Sequence, residues 1–415
     1  AGSHGGALDG LQRRPLAARD ARLGAAAGQR ITVRSEAVER FLMPRLDPLR
    51  HLAGELAALK ESGLLRSPPT PEPEEAALLN LCSNDYLGYA SEPWPGTVTG
   101  RSGAGASRLV SGNLAAHESA EAALASWLGT EAALLFSSGY AANVGTMAAL
   151  ASRGDVVVSD ALNHASIIDG CRLSGAEVRV VPHLDLAATE AALAGASHAR
   201  RRWVVTESYF SMDGDSPDLV RLRALCDRHD AGLILDEAHV LGVLGPHGRG
   251  LSAEAGITPD VLIGTAGKSL GLHGAFVAGS QALRLWLWNR ARSFVFSTGV
   301  SPTLATALAS RIERVAADDE ARAQLEARGA QLRAGLALLG VTGVASGRGP
   351  VLPWVVGASE ATVALSRRLR DQGVLVQAIR PPTVPAGTAR LRITVHARLS
   401  SEDVERALAA FHAAR

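Results

Sequence analysis

Apolar segments in the middle of the chain end, one after another, in side chains that can do chemistry. After "EAALLF" come Ser138, Gly139 and Tyr140; after "DVVVSD" comes His164; after "RRWVVT" come Glu207 and Ser211; after "GLIL" come Asp236 and His239; after "VLIG" come Thr265 and Lys268. Lys268 stands between Gly267 and Ser269, and Gly-Lys-Ser is how a P-loop ends. A P-loop needs another glycine five positions before Gly267, so that the chain can wrap phosphates with its amides. Leu262 stands there, inside an apolar run. The other chemistry that wants such a lysine is Schiff-base formation with pyridoxal phosphate (PLP). That cofactor also needs a helix N-terminus and hydroxyls for its phosphate and a carboxylate for its pyridine nitrogen. Asp236, 32 residues before Lys268, fits the last demand. Taken singly, Lys268 could be a solvated turn lysine, Asp236 a helix cap, and His164 and His239 satisfied loop histidines. Their coincidence at successive segment ends is what suggests a site.

In open α/β sheets, ligands bind beyond the carboxyl ends of the strands, and the segments around these positions read as such a sheet. "EAALLFSS", "DVVVSD", "EVRVVP", "RRWVVTES", "GLILDEAH", "PDVLIGTAG" and "GAFVAGS" are short continuous apolar runs, the pattern of strands covered on both faces. Between them "GYAANVGTMAALAS", "HASIIDGCRLSG" and "PDLVRLRALCDRHD" read as helices. The expected fold class is α/β, a large domain with a mostly parallel seven-stranded sheet over residues 86–305. Residues 306–415 read as a smaller α+β domain. They hold one long helical region, strands in "VLPWVVG", "VLVQAI" and "ARLRITVH", and two further helices. Residues 31–85 read as a helix followed by a Pro/Glu linker, "RSPPTPEPEE". Residues 1–30 read as a tag remnant, "AGSHGG", and a frayed or disordered Ala/Arg/Gly extension. "SGAGAS" (102–107) lacks both a preceding strand and the G-x-G-x-x-G spacing of a dinucleotide loop.

The bulk composition narrows the partners. Net charge is +1 over 415 residues, with 20% charged residues, so no electrostatic footprint for nucleic acid is expected. No run of 18 apolar residues suggests a membrane span. Cys82, Cys171 and Cys226 are isolated, which argues against a metal site and fits reduced thiols in a cytoplasmic protein.

Five longer stretches, "CSNDYLGY", "LNHASIIDG", "TESYFSMDGD", "DEAHVLGVLGPHGRG" and "GTAGKSLGLHGAFVAG", resemble the α-oxoamine synthases over about residues 45–412. These are PLP-dependent enzymes of fold type I that condense an amino acid with an acyl thioester. The tail "AIRPPTVPAGTARLRIT" is similar to the branch that makes 8-amino-7-oxononanoate for biotin. That branch joins L-alanine to pimeloyl-CoA or the pimeloyl carrier protein and releases CO2. Sister activities that use glycine or serine with other acyl groups are the alternative. The resemblance implies that Lys268 binds the cofactor covalently and moves protons, Asp236 holds the pyridine nitrogen and His164 stacks on the ring. It puts His239 and Ser211 near the ring's phenolic oxygen, and Gly139, Tyr140 and Thr265 at the phosphate. Ser138 and Glu207 belong to the same cofactor set. Asn84 and Arg392 are implied for the substrate carboxylate, and Arg66, with Arg380, for substrate on the acyl side. A homodimer is implied, with Thr298 in "FSTGVSP" reaching the partner's phosphate. By alternation alone Arg390 and Arg392 share one strand face, which without the resemblance would read as solvated. Val240, and His273 in "GLHGAF", depart from the family pattern.

Overall fold

Residues that alternate along each central strand feed two different cores, which is why the apolar runs are continuous. In β2 (Ala132–Phe136), after a two-residue β1 (Leu79–Asn80), Leu134 and Phe136 face one core while Ala133 and Leu135 face the other. The pattern repeats in the segment 231–236, where Ile234 and the pair Leu233 and Leu235 point to opposite sides. Apolar contact on both faces is what a sheet sandwiched between helices requires.

The computed structural model describes residues 48–66, 78–94, 100–344 and 347–415. The expected tag remnant and extension, the start of the N-terminal helix and the Pro/Glu linker beyond Arg66 lie outside the described residues. The chain divides into two units, Ala1–Ala58 and Leu59–Arg415. The described part of the first holds the beginning of a helix, Leu52–Glu61. All of the elements below belong to the second.

The central sheet adds β3 (Val156–Asp160), β4 (Glu177–Val181), β5 (Arg202–Glu207), β6 (Ala231–Asp236), β7 (Val261–Thr265) and β8 (Ala275–Gly279). The strand order is β2-β8-β7-β6-β5-β3-β4. Only β8 runs antiparallel to its neighbours. The sheet is therefore the seven-stranded, mostly parallel one that the apolar runs predict. Helices Gly139–Leu150 and Ala165–Ser174 pack side by side over one face. The helix Leu186–Ala194 gave no signal in the sequence, because "LAATEAALA" is alanine-rich all round and shows no apolar stripe.

The C-terminal part builds a three-stranded antiparallel sheet in the order β11-β12-β9, from β9 (Val351–Gly357), β11 (Gln377–Ile379) and β12 (Ala389–Thr394). β10 (Val374–Leu375) pairs instead with β1, in parallel. "VLVQAI", which reads as one strand, is thus divided between two sheets. The long helical region is likewise two helices, Pro302–Ala317 and Asp319–Leu338. The break is at Asp318, whose carboxylate caps Ala321 N at 3.0 Å and accepts the hydroxyl of Tyr89. Among the described residues, no helix is long and apolar enough to cross a membrane.

Candidate active site

Parallel strands bring the ends of β3, β5, β6 and β7 to one edge of the sheet, and register sets the details. Glu207 and Asp236 are direct cross-strand partners at the last positions of β5 and β6. Two carboxylates side by side at a buried edge repel each other, so at least one is driven toward its neutral form. Glu207 is that one: burial and the Asp236 charge push it up to about 8. Its Oε1 accepts the backbone N–H of His164 at 2.8 Å, which ties the β3 loop to the β5 end. Asp236 receives Ala238 N on Oδ1 at 2.9 Å and Asn143 Nδ2 on Oδ2 at 2.8 Å.

Lys268 follows β7 in a tight loop. The Thr265 hydroxyl donates to Gly274 O at 3.0 Å and accepts Gly267 N at 3.1 Å, so this threonine shapes the loop that holds the lysine. Gly271 has φ +64°, and a Cβ there would lie 2.6 Å from Ala90 N. The loop therefore closes directly against the backbone of the 84–90 segment, where only glycine fits. Burial lowers the Lys268 amine, the Asp236 and Glu207 charges partly restore it, and the result is about 8.

Lys268 Nζ lies 2.7 Å from His239 Nε2, and His239 Nδ1 lies 2.8 Å from the Tyr86 hydroxyl. Burial, then the charges of Lys268 and Arg392, hold His239 well below its ordinary range, so it is a neutral imidazole. An ammonium can only donate, which assigns Nε2 as acceptor and Nδ1 as the N–H that donates to Tyr86. Tyr86 Oη also accepts Arg392 Nη2 at 3.1 Å and donates to Asn84 Oδ1 at 3.1 Å. Arg392 Nη1 donates to the same Asn84 Oδ1 at 2.9 Å, and Nε to Ser211 O at 2.6 Å. A continuous hydrogen-bonded chain thus joins Lys268 to Arg392. Arg392 has five N–H donors and uses three, one from each nitrogen. One donor on each terminal nitrogen has no partner among the described residues.

The solvated-face expectation for Arg390 and Arg392 is corrected: they are 4% and 5% exposed. β12 is the middle strand of its sheet, and its arginine face lies against the loop after β5. There Arg390 donates to Met212 O at 3.1 Å and pairs with Asp213.

The other predicted residues distribute as follows. Ser138 caps the helix Gly139–Leu150, its hydroxyl accepting Ala141 N at 3.1 Å and its carbonyl Ala142 N at 3.0 Å. That leaves the amides of Gly139 and Tyr140 open to an anion, and nothing lies within 4 Å of where a Gly139 side chain would begin. Tyr140 is half exposed, and its hydroxyl donates to Asp169. His164 caps its own helix through Ser166 N at 3.2 Å; burial lowers its pKa, against the pull of Asp236. Arg66 Nη2 donates to Thr383 Oγ1 at 3.2 Å, and Arg380 to Gly63 O. These two meet each other's segments, and among the described residues neither bonds to the Lys268 network. Thr298 pairs through its backbone with Ser107. Val240 is fully buried and His273 is exposed. Two members escaped the sequence reading. Asn143 lies one turn past Gly139, and Tyr86 lies inside "CSNDYLGY" next to the residue already singled out. Spacing from those neighbours was the available signal.

A cavity of about 530 Å³ opens beside this network. The His164 loop with Ile168 forms one wall, Phe210 to Asp213 another and Pro382 to Pro385 a third. A larger hollow of about 730 Å³ lies at the opposite end of the strands, around Thr130, Trp203 and Trp286, away from Lys268.

The residues fit PLP. The donor set comprises a lysine amine, a carboxylate steadied by two hydrogen bonds, a neutral imidazole and an open helix N-terminus. The buried Asn143 Oδ1 beside Asp236 also has no hydrogen-bond partner among the described residues.

Residues 76–411 match the model of the aminotransferase class I and II family. The chain belongs to that family, within its α-oxoamine synthase group of fold type I, PLP-dependent acyltransferases. It is 46% identical to an 8-amino-7-oxononanoate synthase from Anaeromyxobacter dehalogenans over 87% of this chain and 94% of that one. A synthase of the same name from Marinobacter nauticus is 44% identical, over 88% and 97%. Among solved structures, a serine palmitoyltransferase from S. paucimobilis with bound PLP–myriocin aligns with a TM-score of 0.82 at 27% identity, covering 90% of this chain and 98% of that one.

Proposed function

We propose that this chain condenses L-alanine with pimeloyl-CoA, or with the pimeloyl carrier protein, and releases CO2 and the free thiol to give 8-amino-7-oxononanoate for biotin. The observation that carries the reading is the buried chain from Lys268 through His239 and Tyr86 to Arg392, which links a tuned amine to a guanidinium that keeps two donors in reserve. PLP, when bound, supplies an aldehyde that captures the substrate amine and a ring that draws electrons from its Cα.

The protein supplies the rest. Asp236 would accept from the ring nitrogen, with Asn143 and Ala238 N holding its carboxylate in place. His164 would cover one ring face, His239 and Ser211 would lie toward the phenolic oxygen, and Ser138, Gly139, Tyr140 and Thr265 would form the phosphate end. Glu207, near neutrality, fixes the His164 backbone without adding a full second negative charge beside Asp236. Arg392, with Asn84, grips the alanine carboxylate. Lys268 takes the Cα proton on Nζ and returns it. At pH 7.5 an amine with pKa about 8 is roughly a quarter neutral, against about 0.1% for an ordinary lysine. Burial therefore raises the base fraction more than a hundredfold. The 530 Å³ cavity takes the acyl chain between Ile168, Phe210, Met212 and the proline loop, with Arg66 and Arg380 on that side.

The same reading makes 86–305 the cofactor-binding domain and 306–415 the part that closes on substrate. It includes a homodimer in which Thr298 acts across the interface. Exposed Leu109, Val110 and Phe296 flank the Thr298–Ser107 pairing and support it. Burial pushes the Cys171 and Cys226 thiols up to about 11 and 12, so both stay protonated and weakly reactive. Alanine, glycine and serine assayed against a panel of acyl thioesters test the substrate. Preference for alanine with pimeloyl thioester is expected. A preference for serine with long-chain thioesters, the pairing named by the structural neighbour, would overturn it. Light scattering should give twice the 43.1 kDa chain mass. A fully active monomer would remove the dimer from the reading.

A further inference from the structure

His183, in the loop after β4, lies between two carboxylates. Its Nδ1 is 2.9 Å from Asp160 Oδ1, at the end of β3, and its Nε2 is 3.1 Å from Asp215 Oδ2. A carboxylate offers no hydrogen, so both ring nitrogens must donate, and the ring must be an imidazolium. Burial opposes that charge, but the two carboxylates outweigh burial and raise His183 to about 10. The Phe210 ring stands edge-on to it, with centroids 4.4 Å apart.

Each carboxylate adjoins a wall of the 530 Å³ cavity along the chain: Asp160 immediately precedes the Ala161–Ala165 wall, and Asp215 follows the Phe210–Asp213 wall by two residues. Asp160 also accepts Leu162 N at 2.8 Å and Leu184 N at 2.9 Å, which shapes the turn leading to His164. Asp215 closes the opposite loop: its carbonyl accepts Phe210 N at 2.9 Å, and Phe210 O accepts Gly214 N at 2.9 Å. Inside that closed loop are Ser211 O, bonded to Arg392, and Met212 O and Asp213, bonded to Arg390.

We propose that His183 is a positioning residue for the reaction, a cationic clamp that sets the distance between the His164 loop and the Phe210–Asp215 loop and, through Ser211, the seat of Arg392. The clamp touches neither Lys268 nor the cofactor set directly. Its effect falls on substrate binding, and in that respect it rests on the proposed reaction. Displacements of about 1 Å in substrate-positioning groups are enough to change rates a hundredfold.

The test uses the PLP-loaded enzyme with His183→Gln, which cannot bridge both carboxylates, and the milder Asp215→Asn, which takes the negative charge from the more exposed partner and so weakens the clamp. Hydrogen exchange at Phe210 and Gly214 should speed up at least about tenfold in both. The KM for alanine and for the acyl thioester should rise about ten- to a hundredfold, with kcat within about threefold and PLP content unchanged. Unchanged exchange would overturn the clamp. Faster exchange with unchanged KM would reduce it to a packing role and overturn the positioning claim. If His183→Gln does not fold, Asp215→Asn decides by the same criteria. A wild-type enzyme inactive on every thioester would count against the proposed reaction and leave the exchange result standing.

Discussion

Replacing Arg392 by alanine should cost alanine binding far more than it costs cofactor binding. The guanidinium is 5% exposed and holds three bonds, to Ser211 O, Asn84 Oδ1 and Tyr86 Oη, with two donors left over. Removing one partner of a buried, hydrogen-bonded charge pair costs about 2–5 kcal/mol. At about 1.4 kcal/mol per tenfold, that is roughly 30-fold to several thousandfold in alanine affinity. Arg392→Lys keeps the charge but cannot serve Ser211, Asn84 and a carboxylate in one planar fork, so it should lose at least about tenfold. Arg390→Ala is the control. Arg390 spends its donors on Thr388, Met212 and Asp213, so its loss should lower stability, by about 1.5–3 kcal/mol for a charge-assisted bond to a partly exposed aspartate, and spare alanine affinity. The assay is titration of each PLP-loaded variant with alanine, followed by absorbance, alongside the steady-state KM and the melting temperature. Equal losses of affinity at both arginines, or an Arg392→Ala variant within about threefold of wild type, would remove Arg392 from the substrate site.

Lys268→Met, close in volume, should fold and lose turnover; near-normal activity would refute the central assignment. In the cofactor-free protein the same change should also stabilise. The folded amine sits at about 8 against an ordinary 10.5, so the charged lysine is a burden below pH 8 that lifts as pH rises toward 10.5. The gain in melting temperature should shrink over that window, and a gain independent of pH would contradict it. Asp236→Asn should retain PLP on Lys268, trappable with borohydride, yet lose about a hundred- to a thousandfold in kcat; an unchanged kcat would exclude Asp236 as the ring partner. Glu207 titrates at about 8 when folded, so its cost appears as pH rises from the ordinary glutamate range through 8. Glu207→Gln should be nearly neutral for the cofactor-free protein at pH 5 and stabilising at pH 8.5, and an equal shift of melting temperature at both would refute it.

Local pattern carried a large part of this site. An apolar run bounded by helices is a buried parallel strand wherever it falls, and a parallel sheet collects its strand ends on one edge. Ser138, His164, Glu207, Asp236 and Lys268 could therefore be gathered from the chain before any contact was known. The division of "VLVQAI" between two sheets could not be, because β10 finds its partner in β1, nearly 300 residues earlier. Pairing over that separation depends on the whole fold, and the residues themselves carry no mark of it. The same holds for charge. Adjacent registry of β5 and β6 sets Glu207 against Asp236, and enclosure of Lys268 among them and Arg392 brings its amine to about 8; neither follows from a residue's identity. Arg390 and Arg392 make the point most sharply. Alternation alone describes a strand with two arginines facing one way, whether toward water or protein. Only the placement of β12 between β9 and β11, with the loop after β5 folded over its face, buries that side and ties Arg392 to Ser211 O.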